Sequence, residues 1–119
     1  EWSVYQIDEL FSHPVYSFTS YYTDYDNNRS KRFFNLFINK FGIPGVQQTP
    51  NYALFGFDIF QFFIKNMNRY GKRFDKHLDY IVENGIQMNF SFSKMNIGGY
   101  SNNGFIIQKI DSKGLNIIE

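Results

Sequence analysis

The 119-residue chain contains no cysteine, so neither a disulfide framework nor a thiolate metal site is possible, and the redox compartment cannot be read. Its two histidines, His13 and His77, have no second histidine at metal-ligand spacing, and a distant pair of this kind is ordinary surface chemistry. Charge of one sign is nearly absent in the balance: 12 Lys and Arg oppose 11 Asp and Glu, for a net +1. That gives no general pull toward nucleic acid or an anionic membrane. No stretch is apolar for long enough to span a bilayer, because Gln61, Lys65, Asn66, Asn68 and Arg69 interrupt the most apolar segment. No signal peptide is visible, and Glu1-Trp2, without a methionine, is expected of a mature, trimmed or excised piece. Prolines are few, and each marks a boundary: Pro14, Pro44 and Pro50.

Aromatic residues are what the chain has in excess. They make up 21% of it, with 15 Phe and 9 Tyr against one Trp. Part of that apolar load is expected to lie against a partner. The longest apolar segment runs from Thr49 to Gly71, TPNYALFGFDIFQFFIKNMNRYG. Thr49 is expected as its N-cap with Pro50 at the first helical position, and Gly71 as its stop, with Lys65 and Arg69 near the carbonyl end. Leu54, Phe55, Phe57, Ile59, Phe60, Phe62, Phe63, Ile64 and Met67 almost encircle this helix, which predicts burial on most faces. Each fully buried Phe or Ile would add roughly 1.5–3 kcal/mol.

Around this segment the periodicity alternates between helix and strand. Residues 1–14 carry a short helical pattern that should end by Ser12, ahead of Pro14. Val15 to Tyr22 reads as a strand, and residues 23–28 as a polar turn. From Asn28 to Phe41, Phe33, Phe34, Leu36, Phe37, Ile38 and Phe41 recur at helical spacing, with Gly42 as the terminating residue. A shorter helix is expected over Phe74–Val82, with Phe74, Leu78 and Ile81 on one face. Ile86, Met88, Phe90 and Phe92 alternate with Gln87, Asn89, Ser91 and Ser93, which predicts a strand with one wet face. After the turn-rich stretch 98–104, Phe105–Ile110 and Leu115–Ile118 are two further strands around the turn Asp111–Gly114. The expected fold is α/β, helices packed on a mixed sheet with a C-terminal antiparallel meander, in one unit over residues 1–119.

The order of these pieces resembles the C-terminal part of a type I periplasmic binding protein, a two-lobed receptor that closes on small solutes. The resemblance is carried by Tyr21-Tyr22-Thr23-Asp24 at the end of the first strand, and by Phe33, Phe37 and Phe41 leading into Phe41-Gly42-Ile43-Pro44. Gly56-Phe57-Asp58 is similar to the family's Gly-Tyr-Asp signature and is followed by Asn68-Arg69-Tyr70-Gly71. Gly98-Gly99-Tyr100-Ser101-Asn102 on the return strands is similar to a branch found in Bacteroides-like bacteria, described as ABC-transporter substrate-binding-like or LysM-associated envelope proteins. The resemblance implies a partial lobe of a longer protein, located in the periplasm or cell envelope. It also implies an amino acid or similar small solute as ligand, with no enzymatic activity and no cofactor. A fragment of that kind must cover its sheet edge and aromatics, by self-association or strand exchange in the first instance.

The same resemblance places the ligand at strand ends and just before the Gly-Phe-Asp helix. That implies Tyr52 as a ring over the ligand, with Asp24 and Tyr25 lining the cleft. Structural readings of these residues stand beside it: Tyr52 packing its helix start, and Asp24 capping the next helix. Asp58, one turn into an apolar helix, is expected to bond a loop or the positive helix end rather than catalyse.

Other motifs fail on their chemistry. Asp24-x-Asp26-x-Asn28 opens like a calcium loop, but Arg29 stands at its glycine position and Asn35 at the bidentate position. There is no Gly-x-Ser-x-Gly elbow, and Gly98-Gly99 lacks a phosphate-loop lysine. Arg69, Lys72, Arg73 and Lys76, with Tyr70 and Phe74 between them, would suit a single strand of nucleic acid. Asp75, Asp79 and Glu83 on the same segment and the near-zero net charge favour a solvated helix junction instead, and the cluster could equally meet an acidic partner. The rival reading to solute binding is a structural domain of the cell envelope that self-associates through its aromatic surface.

Overall fold

A computed structural model describes residues 13–44 and 48–118. The helix expected within residues 1–14 lies almost wholly outside the described residues. Two helices and two three-stranded sheets make up the rest: β1 (Val15–Thr19), α1 (Asn28–Phe41), α2 (Tyr52–Tyr70), a 3-10 segment (Gly71–Tyr80), β2 (Val82–Asn84), β3 (Asn89–Lys94), β4 (Tyr100–Asn102), β5 (Ile106–Asp111) and β6 (Gly114–Ile118). The strand orders are β1-β5-β6 and β2-β3-β4, and every pairing among the described residues is antiparallel. One mixed sheet was the expectation, and two antiparallel sheets are the finding. The chain leaves β3 at Gly104, and β5 then takes its partners from distant β1 and from β6 instead of from β4. A side chain at Gly104 would collide with the Asn89 backbone, so the chain passes tightly under β3. The Asn102 amide fixes that exit, accepting from Ser91 N (2.8 Å) and Gly104 N (3.1 Å) and donating to Asn89 O (2.9 Å).

α1 forms where its periodicity places it. The Asn27 side chain accepts from Arg29 N at 2.8 Å, and Gly42, at φ 69°, closes the helix in the left-handed region. α2 starts later than expected. Asn51, not Thr49, is its N-cap, accepting from Leu54 N at 3.1 Å, and Pro50 precedes the helix with a cis bond to Thr49. An asparagine carbonyl satisfies an orphan helix N–H as well as a threonine hydroxyl does, so the cap shifted two residues without loss.

Burial along α2 departs from its near-circular apolar pattern. Leu54, Asp58, Phe62 and Asn66 are buried, one residue per turn, while Phe60, Phe63, Ile64 and Met67 are exposed. The helix buries one stripe, half of it polar, against the β2-β3-β4 sheet. Phe62 stacks on Phe90 with ring centroids 4.4 Å apart, and Ile81 and Met88 complete the buried cluster. Phe74 and Leu78 pack against it from the 3-10 segment, which replaces the expected helix and is interrupted at Arg73. Val82, the expected end of that helix, opens β2 instead, because Val82–Asn84 pairs with β3.

The β1-β5-β6 sheet stands apart from that core. The buried cluster takes no residue from it, and among the described residues no side-chain hydrogen bond or ring contact joins it to either helix. Val15 pairs with Ile110 and Thr19 with Ile106, and Ile110 pairs in turn with Leu115, so one face carries a ladder of branched side chains. On the other face, Phe18 and Phe105 meet edge to face at 6.3 Å, with Phe18 74% exposed. The result is a flat molecule of 52 × 43 × 21 Å, whose radius of gyration of 16.9 Å exceeds the roughly 13–14 Å usual for this length.

Candidate functional site

The site is built outward from one carboxylate. Asp58, 2% exposed, sits on the buried stripe of α2 and faces the turn joining β2 to β3. Its Oδ1 accepts from Ile86 N at 2.8 Å, and its Oδ2 accepts from Gln87 N at 2.7 Å and Met88 N at 3.2 Å. Three backbone donors on one carboxylate hold the turn in place. Gly85 is needed beside it, since a Cβ there would stand 2.5 Å from the Asp58 carboxyl carbon and 2.7 Å from Met88 O. The expectation that Asp58 bonds a loop is what the geometry shows.

Gln87 locks the same turn to the rest of the molecule. It is 1% exposed; its Oε1 accepts from Asn51 N at 2.6 Å, and its Nε2 donates to Asn51 O at 3.1 Å. Thr23 Oγ1 also donates to that Oε1 at 3.4 Å, and the Gln87 carbonyl accepts from Tyr22 N at 2.9 Å. Strand alternation placed Gln87 on a wet face. It is buried because Ile86–Met88 is a turn and not yet strand.

On the outer side of the turn, the Arg29 guanidinium donates to Asn84 O (3.3 and 3.4 Å) and Gly85 O (3.2 Å). This ties the start of α1 to the β-hairpin. Farther along, aromatic rings fill part of the space between α1 and α2. Phe33 touches Phe57 of α2 at 5.0 Å, and Phe37 and Phe41 continue the row along α1 at 6.0 and 4.8 Å. The remaining space is an open groove of about 570 Å³, within the usual size of a small-molecule site. Leu36, Phe57, Gln61 and Ile86 line it together with that aromatic row, and Arg29, Arg32 and Lys40 give it three cationic groups and no acid. Arg32 and Lys40 make no ion pair or side-chain hydrogen bond among the described residues.

The residues implied as ligand contacts lie elsewhere. Tyr52 is 70% exposed at the first position of α2. Asp24 is exposed, its Oδ1 accepting from Asp26 N at 2.9 Å; it shapes the turn, while Asn27 caps α1. Tyr25 stacks on Phe34 at 5.5 Å and donates its hydroxyl to Gln48 O at 3.2 Å. Among the described residues no hydrogen bond, ion pair or ring contact joins Tyr52 to Asp24 or Tyr25, and none of the three lines the groove. Asp24 does border a smaller recess of about 100 Å³ with Tyr22, Asn27 and Ser30. Burial, then the nearby Asp24 carboxylate, raises Tyr22 above the ordinary tyrosine range.

The groove residues were visible in sequence only as a helical Phe pattern with basic residues between them. What the pattern did not contain is the second wall, which α2 and the Asp58-held turn supply. No group of three or more His, Cys, Asp or Glu among the described residues could hold a metal ion. No helix of the structure is long and apolar enough to cross a membrane, among the residues described. No protein-family model, no curated protein and no solved structure matches the chain.

Proposed function

We propose that this chain is a non-enzymatic recognition module that binds a small solute. The α1–α2 groove is the observation that carries the reading: aromatic walls, a volume suited to a small molecule, and side chains anchored by a buried polar turn at one end. The type I periplasmic-binding-protein resemblance adds an amino acid or similar ligand and a place in an envelope transport or sensing system. In that setting the groove would be one wall of a cleft, completed by surface from the remainder of the receptor. Binding in such a site is driven by apolar contact and oriented by few polar groups.

A second reading is favoured by a separate observation, the β1-β5-β6 sheet that contributes nothing to the buried cluster and whose Phe18 and Phe105 are exposed. It makes the chain an interaction domain that self-associates through this sheet. Thermal shift with a panel of amino acids, sugars and organic acids, run beside sedimentation, separates the two. A raised melting temperature in monomeric protein supports solute binding. A stable dimer with no thermal response to any panel member overturns it in favour of assembly.

A further inference from the structure

We infer that the α1–α2 groove selects a small aromatic organic anion, with its ring between the Phe37 and Phe57 side and its carboxylate toward the α1 cations. The inference rests on the solute-binding reading and names the ligand's chemistry. Its basis is charge complementarity at a site that is otherwise apolar. Arg29, Arg32 and Lys40 stand three and then eight residues apart on one side of α1, so they recur along the groove and not around the helix. No acidic side chain lines the groove, and Arg32 and Lys40 form no ion pair among the described residues. Elsewhere on the molecule cations do meet carboxylates: Lys31 with Asp26, Lys65 with Glu83, Arg73 with Asp75 and Lys109 with Asp111. Arg29 is also fixed by the hairpin carbonyls, so it is held in place before any ligand arrives. A neutral solute would leave the charge unused, and an aliphatic anion would forgo the ring contacts that Phe33, Phe37 and Phe57 offer.

The test uses 2-naphthoate as probe and 2-naphthalenemethanol as its neutral counterpart, titrated into the protein by calorimetry at low and at high salt. The naphthoate is expected to bind about ten-fold more tightly than the alcohol, and that margin should shrink in high salt. In an Arg32→Gln/Lys40→Gln variant the margin should fall to near unity, while a Lys72→Gln/Lys76→Gln control at the other basic cluster retains it. Far-UV circular dichroism is expected to match wild type for both, since all four side chains are exposed. If the alcohol binds as tightly as the naphthoate, the anion inference fails and the solute-binding site survives. If neither probe binds and the thermal panel is also silent, the solute-binding reading fails with it. An unchanged margin in the Arg32/Lys40 variant overturns the placement of the anion in this groove.

Discussion

Replacing Asp58 with alanine should be among the most damaging single changes available to this chain. The carboxylate is buried and is the acceptor for Ile86, Gln87 and Met88 N–H groups, two of which belong to buried residues. Removing it leaves those donors without a protein partner, and each buried unsatisfied donor costs about 1–3 kcal/mol. Two such donors give about 2–6 kcal/mol, against a total stability of about 5–15 kcal/mol for a domain. Asp58→Asn is the sharper probe because it keeps the volume. One oxygen still accepts, but the amide NH₂ then faces a backbone N–H, so a loss of about 1–3 kcal/mol is expected. The loss propagates, since the turn also carries the Gln87 lock and the Arg29 contacts. Urea unfolding followed by far-UV circular dichroism reads the midpoint and slope. An Asp58→Asn midpoint equal to wild type would show that water replaces the carboxylate, and the reasoning that the turn depends on it would be refuted.

Four further outcomes follow from the same packing. Gly85→Ala should cost about 1–3 kcal/mol through its collision with Asp58 and Met88 O, and its effect should be less than additive with Asp58→Ala in a double-mutant cycle by urea unfolding. Phe62→Ala should cost about 3–5 kcal/mol, whereas Phe63→Ser, 43% exposed on the same helix, should cost under about 1 kcal/mol; equal losses would mean α2 buries more than one stripe. Gln87→Leu should lower the melting temperature despite adding apolar surface, because Asn51 N and O both lose a buried partner. For Lys109 and Asp111, their 2.8 Å hydrogen bond lowers the Asp111 pKa and raises that of Lys109. The Asp111 contribution is present above its unfolded pKa and lost as pH falls through the folded one. The Lys109 contribution is present below its unfolded pKa and lost as pH rises through the folded one. Stability of Asp111→Asn should therefore differ from wild type between those ranges and converge with it in acid, as chemical unfolding across pH will show.

What the sequence made legible was local. α1 could be read to its last residue because Phe spacing, basic residues and Gly42 agree with one another. Asp58 could be read as a loop anchor because a carboxylate inside an apolar helix must find donors, and it found three. The circular apolar surface of α2 was misleading for a physical reason. Apolar residues do not require burial, and only the stripe of Leu54, Asp58, Phe62 and Asn66 is fully buried on α2. Gln87 was hidden because alternation assigns sides only within a strand, and its residue lies in the turn. Splitting of the strands into two sheets was not readable, since β1 pairs with β5 across some ninety residues and no local signal encodes that choice. The groove needed both walls, and only one of them was a sequence pattern.

The central claim, that the space between α1 and α2 is a solute site, is tested most directly by amide chemical-shift mapping. ¹⁵N-labelled protein is titrated with the solutes that raise its melting temperature. Shifts should be confined to Arg29–Phe41, Phe57, Gln61 and Ile86 and should saturate with ligand. Saturating shifts confined to β1, β5 and β6, or gathered around Tyr52 and Tyr25 with α1 unmoved, would contradict it.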